Sequence, residues 1–134
     1  MSSSKTGHLG KAGHHAVMAE LLLRGWNVAI PEVDVGDDVF VVDDNADAVL
    51  RVQVKTTATK GPLDGNRPFK AQYGGLSRRD LDVSTLPFFY VFVLRVDHFW
   101  EFVVIDRAEL KRRLTSASSS AGSRASPASP SPSR

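Results

Sequence analysis

Asp38, Gln53 and Lys55 have the residue types and spacing for phosphate chemistry. Gln53 and Lys55 stand two positions apart in "RVQVKTT", residues 51–57. Side chains alternate along a strand, so Arg51, Gln53 and Lys55 share one face and Leu50, Val52 and Val54 the other. Asp38 opens a second apolar run, "DVFVVD", and the "DNAD" that follows reads as a turn. A hairpin turning near Asn45 brings Asp38 next to Gln53 and Lys55. A carboxylate and an amide carbonyl offer oxygens suited to Mg²⁺ or Mn²⁺, and Mg²⁺ takes few protein ligands and keeps several waters. The ammonium can orient or activate a water, or offset charge on a phosphate. Hydrolysis of a phosphodiester requires a metal ion, a positioned water and positive charge at the transition state. The plainer readings are a solvated strand end for Lys55 and a hydrogen-bonded sheet residue for Gln53.

Charge is unevenly placed. The chain has 134 residues, 17 of them basic and 15 acidic. Arg124 and Arg134 fall in residues 115–134, which hold no acid, so the remainder is balanced at 15 of each. Within it, Glu32, Asp34, Asp37, Asp38, Asp43, Asp44 and Asp47 form an acidic block free of Lys and Arg. From Arg51 to Arg79 the balance reverses, with Asp64 the one acid. Such a pair of blocks can fold into a carboxylate site beside a polyanion-binding surface. Lys60, Arg67, Lys70, Arg78 and Arg79, with Phe69 and Tyr73 among them, suit contacts to a nucleic-acid backbone. A solvated loop is the plain alternative.

The elements that must position these residues follow from periodicity. Residues 7–24 read as a helix with Leu9, Ala12, Ala16, Val17, Met18, Leu21 and Leu22 at helical spacing and Gly25 as its stop, after a frayed Met1 to Thr6. Strands are expected at "WNVAIP", "DVFVVD" and "AVLRVQVKTT", the last two as an antiparallel hairpin. A Gly- and Pro-punctuated loop follows, then a short helix at "SRRDLD". "FFYVFVLRV" reads as a strand buried on both faces, "HFWEFVVI" as its antiparallel neighbour, and Asp106 as the cap of a last helix, "RAELKRRL". The order predicts an α/β domain over residues 1–114 with a mixed sheet, and a disordered Ser/Pro-rich tail over 115–134.

With these elements in place, Asp38, the turn and Gln53-x-Lys55 resemble the core motif of the PD-(D/E)XK nuclease superfamily. The N-terminal helix, "RGWNVAIPEVDVGDDVFVVD" and "RVQVKTT" look like its endonucleases related to homing enzymes, in which Gln replaces the acidic residue. The likeness is close from Gly7 to Thr57 and holds in outline beyond. It implies a restriction-endonuclease-like mixed β-sheet flanked by helices, Mg²⁺-dependent cleavage, and DNA as substrate. It makes Asp38 the metal-binding aspartate, puts Gln53 at the Asp/Glu position, and makes Lys55 the motif lysine. Asp37 stands where the motif has proline, and neutral Gln53 lowers the charge of the metal site. Relatives often add a glutamate from the first helix; here that place holds His14, on the stripe of Val17, Met18 and Leu21 that should face the sheet. Glu20, the one acid of the helix, lies off that stripe, and both remain candidates. If neither serves, the expectation becomes a catalytically inactive nuclease fold that binds DNA or another protein.

Composition removes other classes. There is no cysteine, so no disulfide and no thiolate metal or redox site. No apolar run approaches the roughly 20 residues that span a bilayer, and the N-terminus lacks a secretory h-region. A cytoplasmic protein without membrane partners is expected. Cutting both strands of DNA takes two sites, which points to a homodimer.

Overall fold

The computed structural model describes residues 3–33, 38–59, 73 and 88–122. In chain order these form α1 (Ser3–Leu23), β1 (Asn27–Ala29), β2 (Val39–Asp43), β3 (Ala48–Thr59), β4 (Phe88–Val96), β5 (Phe99–Asp106) and α2 (Arg107–Gly122). The five strands form one sheet in the order β1-β2-β3-β4-β5. Neighbours are antiparallel except β3 and β4, which run parallel, so the sheet is mixed.

The hairpin expected over residues 38–57 is present, with Val39 opposite Val52 and Asp43 opposite Ala48. Its turn is built by Asp43, whose Oδ1 accepts the N–H groups of Asn45 (3.1 Å) and Ala46 (3.2 Å). Asp47 then takes φ 50°, a left-handed conformation that a short polar residue tolerates. β4 lies between β3 and β5, which explains its nearly unbroken apolar run.

The alternation seen in the sequence gives the sheet two apolar faces. On one, Val39, Val41, Val52, Val91 and Val93 pack with Leu50 and Val54, and α1 covers them with Val17, Met18 and Leu21. On the other, Phe88 and Tyr90 pack with Phe92 and Ile105 beneath Leu110 of α2. The architecture is therefore α/β, a mixed sheet flanked by helices. α1 stops at Gly25 (φ 87°), where Gly25 N–H bonds Leu22 O and Trp26 N–H bonds Leu21 O, both at 3.0 Å, in a Schellman arrangement. Asp106 caps α2 as expected, accepting the N–H of Glu109 at 2.8 Å.

Both helices exceed their expected bounds. α1 already begins at Ser3, within the segment expected to fray. α2 passes Leu114 and continues to Gly122. Thr115 Oγ1 bonds Lys111 O and Ser116 Oγ bonds Arg113 O, each at 2.9 Å, so these hydroxyls turn back onto the helix. Residues 123–134 and the short helix expected at 77–82 lie outside the described residues. Among the described residues, no helix is long and apolar enough to cross a membrane.

Candidate functional site

Asp38 sits just before β2 and is fixed to β3 twice. Its backbone N–H bonds Val52 O at 3.0 Å, and its carboxylate Oδ2 accepts the Val54 N–H at 2.6 Å. Val52 is also the partner of Val39, the first residue of β2, so Asp38 enters the strand against the same residue of β3. Its carboxylate reaches past the end of the paired ladder onto the β3 backbone. A partly buried, charge-assisted hydrogen bond of this kind contributes about 1.5–3 kcal/mol.

The carboxylate lines a cleft of about 230 Å³ with Val54 and, from α1, Gly7, Gly10, Lys11 and His14. Gly7, Gly10 and Gly13 repeat every three residues, so one stripe of the helix lacks side chains. At Gly13 that bareness brings α1 against β3: a Cβ would lie 2.6 Å from Thr56 Cγ2 and nearer still to its Oγ1. At Gly7 and Gly10, by contrast, a Cβ would meet nothing within 4 Å, and the cleft opens. His14 follows the close approach and is 8% exposed. Its Nε2 is buried with no hydrogen-bond partner, and its ring stacks on that of His15 with centroids 6.1 Å apart.

The remaining candidates are distributed around this cleft. Gln53 and Lys55 leave β3 on either side of Val54 and, by alternation, face away from α1. There Gln53 pairs with Tyr90 and Lys55 with Phe92 across the parallel ladder. Asp38 is therefore anchored between their positions, where the simple hairpin had put it on their face. Glu20 lies further along α1, paired with Arg24 at 3.0 Å, and does not line the cleft. Lys60, Arg67, Lys70, Arg78 and Arg79 lie outside the described residues. Tyr73 packs edge-on against Phe92, centroids 4.9 Å apart, and burial pushes its phenol above the ordinary value.

No protein-family model matches the sequence, and no curated protein matches it. A bacterial homing endonuclease of known structure is similar to this chain. The two are 26% identical, with a TM-score of 0.49, over 81% of this chain and 68% of the other. A superposition at that score leaves the fold to be argued from this chain's own strand order and register.

A divalent cation fits the groups that meet here: a carboxylate held in place by backbone, and a buried imidazole nitrogen without a partner. Among the described residues no group of three or more His, Cys, Asp or Glu is placed to hold a metal ion. Two protein ligands completed by water suit the hydrated ions considered above. Lys11 and the glycine stripe lie outside the pattern of Asp38, Gln53 and Lys55. The signal was "GHLGKAG", whose three-residue glycine spacing is unusual in a helix because glycine costs about 1 kcal/mol there relative to alanine.

Proposed function

We propose that this chain is a metal-dependent endonuclease domain that hydrolyses phosphodiester bonds of DNA. The supporting observation is the Asp38 carboxylate held at 2.6 Å on the Val54 N–H, between the positions of Gln53 and Lys55. Val54 is the residue between Gln53 and Lys55, and neighbouring Cα atoms are about 3.8 Å apart, so the carboxylate from the residue before β2 is fastened to the same short stretch of β3 that carries them. Asp38 and the Gln53 carbonyl supply oxygens for the ion, Mg²⁺ or Mn²⁺. When bound, that ion supplies Lewis acidity and a more acidic water. Lys55 holds the attacking water and offsets charge on the phosphate. Lys60, Arg67, Lys70, Arg78 and Arg79 bind the DNA backbone, and two copies of the chain together cut both strands.

Nicking of supercoiled plasmid by the full chain, with Mg²⁺ or Mn²⁺ and with EDTA, tests the reading. Activity should require the ion and fall to background in Asp38→Ala and Lys55→Ala. Equal nicking by wild type and Lys55→Ala overturns it.

A second reading, a nuclease fold that binds DNA without cutting it, is favoured by the Glu20–Arg24 pair and neutral Gln53. It predicts DNA binding that weakens with salt and does not need metal.

A further inference from the structure

We propose that His14 Nε2 joins the Asp38 carboxylate as a direct metal ligand, so that the cleft prefers Mn²⁺, Co²⁺ or Zn²⁺ over Mg²⁺. The inference rests on the reading above and adds to it a nitrogen ligand from α1 and the ion's chemical class.

Three observations carry it. First, His14 is 8% exposed and its Nε2 has no hydrogen-bond partner. Leaving a buried polar group unsatisfied is costly, so such a nitrogen marks a place where water or an ion belongs. Second, the imidazole shares its cleft with a carboxylate that the β3 backbone already fixes, so both donors are in place before any ion arrives. Third, the helix is bare beside the ring. Helical side chains lean toward the N-terminus, so the His14 ring leans toward Gly10 and Gly7, which line the same cleft and carry no side chains. The cleft of about 230 Å³ also holds several waters at ~30 Å³ each.

The donor type then decides the ion. Mg²⁺ takes oxygen ligands and gives up its waters reluctantly. Imidazole nitrogen favours first-row transition ions, in the order Mn²⁺ below Co²⁺ and Zn²⁺. One carboxylate and one imidazole leave most coordination positions to water or to phosphate oxygens. Lys11 lines the same cleft. Its positive charge opposes a bare cation and favours a cation that arrives with an anionic phosphate.

Calorimetric titration of the full chain with Mn²⁺, Zn²⁺ and Mg²⁺ tests this without reference to cleavage. In wild type, Mn²⁺ should bind at least roughly tenfold more tightly than Mg²⁺, and His14→Ala should remove that difference. Tenfold is the low end of what losing even an outer-shell partner costs a metal site. His15→Ala should leave binding unchanged. Imidazole NMR of wild type provides a readout that needs no variant. Zn²⁺ should shift, and Mn²⁺ broaden, the His14 ring ahead of those of His8, His15 and His98. Unchanged Mn²⁺ affinity in His14→Ala, or Zn²⁺ shifts confined to the other three histidines, overturns the inference. Either result leaves the endonuclease reading to the Lys55→Ala nicking assay, so the two fail separately.

Discussion

The Asp38 carboxylate accepts the Val54 N–H at 2.6 Å, so one residue both fastens the start of β2 to β3 and presents negative charge to the cleft. The two roles can be separated. Asp38→Ala leaves a partly buried N–H unsatisfied and should cost about 1–3 kcal/mol in denaturant unfolding. Asp38→Asn keeps an acceptor of the same shape and should retain most of that stability. Both should lose metal binding and nicking. An Asn variant that still nicks plasmid would show that the carboxylate is structural alone.

Gly13 and Thr56 set how closely α1 lies on β3. Alanine is favoured over glycine in a helix by about 1 kcal/mol. A Cβ at Gly13 nevertheless overlaps the Thr56 side chain, so Gly13→Ala should be a net loss of about 1–3 kcal/mol, typical of overpacking. Pairing it with Thr56→Ala should recover part of the loss, and a double-mutant cycle measures the coupling. Purely additive effects would mean that the contact does not govern the packing.

The sheet was legible in the sequence because its runs alternate or are wholly apolar. β4 coincides with "FFYVFVLRV", and Asp106 caps α2 as its type and place require. The parallel pairing of β3 with β4 was not legible, since residues 60–87 set the direction of return and carry no decisive periodicity. α2 outran its expected end because "TSAS" lacks an apolar stripe, while its hydroxyls satisfy themselves on helix carbonyls. The site was half legible. Asp38 announced itself by type and position. Its turn toward α1 rests on two bonds to the β3 backbone made just outside the paired ladder, and such an anchoring leaves no trace in a period-two pattern. The glycine stripe beside it costs helix propensity and leaves room along the cleft.

Gln53 offers a neutral oxygen where a carboxylate would bind a hard cation more tightly. Affinity at such sites rises with ligand charge. Gln53→Glu should therefore strengthen Mg²⁺ binding several-fold in calorimetry, and Gln53→Ala should weaken it. No change in either variant would take Gln53 out of the ion's surroundings and leave Asp38 and His14 as its protein ligands.

The first turn of α2 is held by Asp106, which accepts the Glu109 N–H at 2.8 Å, while Glu109 pairs with Arg112 and, at 2.6 Å, with Arg113. Those ion pairs involve exposed arginines and contribute little. The cap matters more, because Leu110, one residue on, covers Phe88 and Tyr90. Asp106→Ala should cost about 1 kcal/mol of stability, and Asp106→Ser should recover most of it. Arg112→Ala should change stability by less than either.

Tyr73 gives the fold a signature at high pH. Burial against Phe92 raises its pKa above the ordinary 10.0, because the charged phenolate is disfavoured there. The unfolded chain therefore loses this proton first as pH rises. Above pH 10 it binds fewer protons than the folded chain, so stability falls there, while below that range the group contributes no slope. In Tyr73→Phe the edge-on ring contact is kept and the titration removed. Thermal unfolding followed from pH 8 to 11 should show wild type losing stability more steeply than Tyr73→Phe above pH 10, with parallel curves below it. Parallel curves throughout would mean that Tyr73 is as hydrated in the folded protein as in the unfolded chain.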